Sequence, residues 1–164
     1  MKRSKNTLYL TRGAVIAALY VALTYLSALL GLSSGAIQLR LSEALTVLPL
    51  FFPEAILGLF IGCIIANLLT GAVVWDVIFG SLATLVGAVG AHLLRRLPPR
   101  LIWIATVPTI LANAIIVPLV LIFACSVPDS YVFLFLTVGT GELLSAGVLG
   151  TLLYHMLHRT RVMK

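Results

Sequence analysis

Charge is what this sequence has least of. Of 164 residues only 10% are Asp, Glu, Lys or Arg, and only five of those are acidic, where a soluble domain carries roughly 25% charged residues. A chain so poor in charge cannot wet a globular surface, which excludes a soluble enzyme. The 61% of hydrophobic residues and the mean hydropathy of +1.15 exclude a disordered or fibrous chain. Cysteine is scarce too. Cys63 and Cys125 fall in apolar runs with no CxxC and no metal-ligand spacing, so both read as packing residues. No GxxxxGK[ST] is present, and the chain therefore cannot hydrolyse ATP through a P-loop. HExxH and GxSxG are likewise missing. Gly139-Thr140-Gly141-Glu142 opens no strand–turn–helix unit, and His155 and His158 are too few for a metal site. The reading needs no cofactor, no metal and no catalytic residue.

Long apolar runs are what is there. At 17.6 kDa the chain has the size of one domain. A helix that crosses a bilayer needs ~20 apolar residues, so six crossings would use roughly 120 and leave only short loops. Residues 1–164 are therefore expected to form a single transmembrane domain. The runs are apolar on all faces, unlike the alternating strands of a membrane barrel. They predict helices from about Thr11 to Gly31, between Glu54 and Asp76, between Asp76 and Arg95, from Arg100 to about Cys125, and from about Tyr131 to His158. The second segment, Ala44 to Pro53, is short and contains Pro49. It spans only if Arg40 and Glu43 form its outer turns. The charge-free stretch from Gly13 to Leu39 exceeds the 7–15 residues of a signal-peptide core, so it reads as a first helix that stays attached.

The basic residues set the orientation. Lys2, Arg3, Lys5 and Arg12 stand at the amino end, Arg95, Arg96 and Arg100 in one cluster, and Arg159, Arg161 and Lys164 at the carboxyl end; only Arg40 stands apart. Clusters that punctuate apolar segments are positive-inside anchors, not a nucleic-acid footprint. If all three are cytoplasmic, the chain crosses an even number of times before Arg95 and after it. Four crossings and then two satisfy this. The fold class is thus an all-α integral membrane protein of six transmembrane helices with both termini cytoplasmic. Leu97-Pro98-Pro99-Arg100 breaks the fourth helix from the fifth, Pro53-Glu54 opens the third, and Ser126 to Ser130 forms an outer turn.

Polar residues inside such a chain need a reason, because a charge at the bilayer centre costs about 2.5–3.5 kcal/mol on insertion scales. At ~1.5 Å per residue, Asn67 and Asn113 come out roughly 20 Å above the inner ends of their helices, and Glu142 roughly 16 Å below the outer end of the sixth. Arg40 and Glu43 sit at the outer end of the second helix, Trp75 and Asp76 at the outer start of the fourth. Together these seven residues are expected to line a cavity open to the outside. Each has a bland alternative. Arg40 and Glu43 could be a local i, i+3 ion pair, Asp76 a helix N-cap, Trp75 an interfacial belt residue, and the two Asn interhelical hydrogen bonds. Glu142 has the weakest one. Ala14, Ala18 and Ala22 recur every four residues on the first helix, with Gly13 and Ala17 alongside, and Gly58, Gly62 and Ala66 do the same on the third. Such ladders let helices approach closely in lipid. That of the first helix is the best candidate for docking a partner subunit.

These residues carry a resemblance. Arg40-Leu41-Ser42-Glu43-Ala44-Leu45-Thr46-Val47-Leu48-Pro49, Phe52-Pro53-Glu54-Ala55, Gly62-Cys63-Ile64-Ile65-Ala66-Asn67, Trp75-Asp76-Val77-Ile78-Phe79-Gly80-Ser81-Leu82-Ala83-Thr84 and Gly141-Glu142 resemble the QueT family. Those proteins are substrate-binding S components of energy-coupling factor (ECF) transporters for queuosine precursors. Val74 and Leu57 stand where the family commonly has Pro, which bears on helix starts more than on ligand chemistry. The resemblance implies six helices in a bacterial cell membrane and an outward pocket for a deazapurine base with a cationic aminomethyl arm. It also implies docking of a transmembrane coupling subunit on Ala14, Ala18 and Ala22, with two ATPase subunits supplying energy. In that pocket carboxylates would pair with the amidine-like edge and the ammonium, an amide would read the ring carbonyl, and Trp75 would stack on the ring or the cation. An S component for another vitamin-like ligand, a small integral-membrane enzyme and an assembly subunit without ligand are the other readings.

Overall fold

A computed structural model describes residues 5–32 and 38–160. Lys2, Arg3, Arg161 and Lys164, on which the charge argument partly rests, lie outside the described residues. The described chain forms six helices and no strand. They are α1 (Lys5–Leu29), α2 (Leu41–Leu50), α3 (Ala55–Leu69), α4 (Val74–Leu93), α5 (Pro99–Phe123) and α6 (Tyr131–Arg159). α1, α4, α5 and α6 are long and apolar enough to cross a membrane, while α2 and α3 are shorter.

Side-chain contacts at the two ends show that successive helices run in opposite directions. At one end Arg12 Nη1 pairs with Glu54 Oε1 at 3.3 Å, which joins the start of α1 to the start of α3. At that same end His92, near the end of α4, places Nδ1 2.8 Å from the Pro49 carbonyl near the end of α2. Tyr154, near the end of α6, stacks on Phe51 with ring centroids 5.0 Å apart. Ile102 and Ala105, early in α5, are buried with Val47 and Tyr154. At the opposite end the Thr24 and Ser42 hydroxyls are 2.8 Å apart, and the Leu41 amide donates to Ser27 Oγ at 3.0 Å. There too Arg40 of the chain entering α2 meets Asp76 in the first turn of α4.

α2 is wound as a 3-10 helix of ten residues, well beyond the usual three or four. At ~2.0 Å per residue it reaches roughly 20 Å, where ten α-helical residues would reach roughly 15 Å. Tighter winding thus lengthens a segment that is short for its place. Ser42, Glu43, Leu45, Thr46, Val47, Leu48 and Pro49 are all buried. Neighbouring helices therefore enclose a backbone that lipid would not tolerate.

Two departures from the expected boundaries matter. α1 begins at Lys5, ahead of Thr11. α6 is not a uniform α-helix, because Leu143–Leu149 forms a π turn directly after Glu142. The expected breaks at Pro98-Pro99 and at Ser126–Ser130 are present, the latter with Ser126 at φ 53° and Ser130 capping α6.

The small-residue ladder of α1 has two faces with different fates. A Cβ added at Gly58 would lie 2.6 Å from the Gly13 carbonyl, and one at Gly62 3.0 Å from the Ala17 carbonyl. α1 and α3 are thus in backbone contact along Gly13 and Ala17. Ala14, Ala18 and Ala22 are exposed on the adjoining face.

Candidate ligand-binding site

A polar stripe on α1 starts the site. Tyr20, Thr24 and Ser27 follow the spacing of one helix face and are buried. Ser27 accepts from the Leu41 amide at 3.0 Å, one of the first donors of α2, and the Thr24 hydroxyl meets that of Ser42 at 2.8 Å. The Tyr20 hydroxyl donates to Glu43 Oε1. Three successive polar contacts therefore seat the head of α2 on α1 and fix the Glu43 carboxyl inside the bundle, where it is 1% exposed.

Two further helices complete the group. α6 brings Glu142, 7% exposed, and α5 brings Asn113, 4% exposed. The Asn113 side chain faces both carboxyl groups. Even so, Glu43 Oε2, Glu142 Oε2 and Asn113 Nδ2 have no hydrogen-bond partner, and neither has the buried Ser145 Oγ in the π turn. A buried polar atom left unpartnered costs about 1–3 kcal/mol, more when charged. Two acceptors and one amide donor converge from α2, α5 and α6, a pattern suited to a polar guest. The chain before α2 closes over this group. Its Gln38 carbonyl lies so near Gly141 that an added Cβ would sit 2.1 Å away, so only glycine fits beside Glu142.

Arg40 and Asp76 flank the group. Arg40 Nη2 lies 3.6 Å from Asp76 Oδ2, with side chains 22% and 15% exposed. Two of the alternatives weighed from sequence fall here. Arg40 pairs across helices with Asp76, not locally with Glu43, because the extended backbone at Arg40 turns its side chain toward α4. Asp76 is not the N-cap of α4 either; Val73 is. Asn67 holds this corner. Its Nδ2 donates to the Asp76 carbonyl at 3.3 Å and lies 3.7 Å from Cys63 Sγ. Beyond it α3 ends on Gly71 at φ 74°, with the Ala72 amide bonded to the Asn67 carbonyl at 3.0 Å and the Gly71 amide to that of Leu68 at 3.3 Å. This is the Schellman closure in which glycine is favoured.

Of the seven residues proposed from sequence, the structure brings Glu43, Asn113 and Glu142 together, with Arg40, Asp76 and Asn67 beside them. Trp75 is apart: it is 56% exposed and stacks on Phe79 at 6.0 Å. Ala14, Ala18 and Ala22 lie elsewhere, along an open apolar groove of about 950 Å³ between α1 and α3 that Leu57, Ile61 and Ile65 also line. Sequence reasoning passed over Tyr20, Thr24, Ser27 and Ser42. The signal was present, as hydroxyls at helical spacing in an otherwise apolar run.

Long apolar helices packed around a buried polar group are the build of a multi-pass membrane protein. The family model for the QueT transporter matches residues 10–159. The chain belongs to the QueT transporter family. It is similar to a Queuosine precursor transporter QueT of Lactococcus lactis subsp. cremoris (strain MG1363), with 41% identity over 104 residues. That match takes in 63% of this chain and 60% of the length of the relative. No solved structure matches the chain.

The contact of Tyr20 with Glu43 yields a test. Tyr20→Phe leaves the Glu43 carboxyl with no donor on either oxygen, a cost of about 1–3 kcal/mol for a buried polar group left unsatisfied. The midpoint of thermal unfolding in detergent should fall by several degrees. In a Glu43→Met background the same change should have little effect, because no acceptor remains. Equal losses in both backgrounds would show that the hydroxyl does not support Glu43.

Proposed function

We propose that this chain is the substrate-binding S component of an ECF-type importer and that it takes up a queuosine precursor, a deazaguanine base with a cationic aminomethyl arm. The observation that carries the reading is the convergence of Glu43 Oε2, Glu142 Oε2 and Asn113 Nδ2, all buried and unpartnered. The carboxylates accept from the amidine-like edge of the base and from the ammonium, and the amide donates to the ring carbonyl. Arg40 and Asp76 hold the outer rim, and Asn67 keeps Asp76 in place. Trp75, exposed beside Phe79, meets the ligand only at the rim. The name of the Lactococcus relative supports the substrate.

The coupling partners belong to the same proposal. The sequence has no P-loop, so the energy comes from two ATPase subunits through a transmembrane coupling subunit. The exposed Ala14, Ala18 and Ala22 border a groove wide and apolar enough to seat a helix of that subunit. All six helices cross the bilayer, with α2 and α3 flanked by longer neighbours. The end that carries Arg12, Arg95 and Arg159 faces the cytoplasm, as positive residues do.

Glu142→Gln tests the ligand reading. It keeps the shape and removes a carboxylate that should hold the base by charge-assisted bonds worth about 1.5–3 kcal/mol each. Affinity for the aminomethyl-deazaguanine in titration calorimetry should fall roughly tenfold to a hundredfold, since ~1.4 kcal/mol is tenfold. Equal affinities would take Glu142 out of the site.

A pair of substitutions tests docking. Ala18→Leu, on the exposed face, should leave the fold and ligand binding intact and abolish copurification with the coupling subunit. Gly58→Leu should instead lower the unfolding midpoint, because its Cβ meets the Gly13 carbonyl at 2.6 Å. Uptake and copurification unchanged in Ala18→Leu would leave the ladder no role in docking.

Cysteine accessibility tests the orientation. On a chain with Cys63 and Cys125 replaced, a cysteine at position 97 or 160 should resist an impermeant reagent in intact cells. Labelling of either from outside would reject six crossings with the basic end inside.

A further inference from the structure

The Glu43–Glu142 pair stands in an unusual charge environment. The ionisable groups that face it are Tyr20 on α1, Cys63 on α3 and Arg40 ahead of α2, while α5 contributes only the uncharged Asn113. From α4, Asp76 takes the Arg40 guanidinium at 3.6 Å. Arg40 is therefore already matched by one carboxylate. Tyr20 and Cys63 are neutral at pH 7 in their ordinary state, and Tyr20 uses its single hydroxyl hydrogen on Glu43. Two acidic groups, 1% and 7% exposed, thus share one enclosed space with no cation of their own.

Two carboxylates in such a space do not both remain ionised, because each disfavours the charge of the other and burial disfavours both. Removing negative charge takes either a proton or an external cation. We infer that the Glu43–Glu142 pair is a proton-binding site, and that a cationic ligand enters by exchange, its ammonium replacing one proton shared by the two carboxyl groups across Asn113. The exchange balances: one positive charge arrives with the ligand and one leaves as a proton to solvent. The unpartnered oxygens, Glu43 Oε2 and Glu142 Oε2, are the atoms between which the proton or ammonium is held. The inference rests on the ligand reading above and adds a rule of selection. The site discriminates for charge, since a neutral analogue of the same shape cannot take the place of the proton.

The direction of the pH effect follows. Protons compete with the cation, so affinity rises with pH while the free pair is protonated, by about tenfold per unit for a one-for-one exchange. An aliphatic ammonium has a pKa of about 10, so the ligand itself neither gains nor loses a proton near pH 7.

Titration calorimetry of the full-length protein with the aminomethyl-deazaguanine, in two buffers of different ionisation enthalpy at one pH near 7, reads the proton count directly. The wild type should release about one proton per ligand bound. The analogue with methyl in place of aminomethyl should release none. In Glu142→Gln the remaining carboxyl no longer has an acidic neighbour, and the release should fall well below the wild-type value. Binding of the cation without proton release would overturn this inference and leave the ligand reading standing. The same release from Glu142→Gln as from wild type would overturn it too, since the proton would then come from elsewhere. No binding by a well-folded wild type would overturn the ligand reading itself.

Discussion

An unpartnered backbone amide or carbonyl within hydrocarbon costs several kcal/mol, and α2 is where this chain meets that constraint most sharply. Ten residues with a proline inside are a poor spanning segment alone. α1 supplies Ser27 to a leading amide and His92 of α4 reaches the Pro49 carbonyl, so both ends of α2 are held by side chains of its neighbours. Arg12, over the Phe52 ring at 4.9 Å and paired with Glu54, fixes the chain that leaves it. Because α2 is enclosed, its one acidic residue, Glu43, becomes interior and stands among helices where an exposed helix would have offered it to the surroundings. The site is a by-product of how the short helix is made tolerable.

α1 links this arrangement to the outer surface. One of its faces packs Gly13 and Ala17 on α3 and, further along, carries Tyr20, Thr24 and Ser27 to the head of α2, while the adjoining face leaves Ala14, Ala18 and Ala22 exposed. α1 thus carries both the contacts to the head of α2 and one wall of the surface groove. The polar stripe and the alanine stripe are also separable by substitution, because no residue belongs to both.

The alternating order of the helices was legible in the sequence, since apolar run lengths and the positions of Arg95, Arg96 and Arg100 require it once the basic residues share a side. The 3-10 winding of α2 was not. Composition distinguishes apolar from polar, whereas the choice between α and 3-10 here depends on the distance that its neighbours require it to cover. Glu142 and Asn113 were legible through cost, as polar groups far from any helix end. Trp75 stands apart from the buried group, because adjacency to Asp76 in sequence places it about 100° around the helix, onto the outer face with Phe79. The Arg40–Asp76 pair was hidden because local spacing favoured Glu43, and a contact across helices leaves no trace in spacing.

The π turn in α6 shows how the deepest acidic residue is presented. Gly141 receives the Gln38 carbonyl and Gly150 packs against Val47 and Ala44 of α2, yet the two glycines lie nine positions apart. In a regular α-helix that is about two and a half turns, which would put them on opposite faces. A π turn fits more residues into each turn, and Leu143–Leu149 falls between them, so both glycines can face the segment from Gln38 to Leu50. Glu142 is the last α-helical residue before the winding changes. Glu142 and Ser145 are both buried, and α6 meets the chain ahead of α2 at Gly141 and α2 itself at Gly150. A continuous α-helix would turn only one of these two glycines toward that segment.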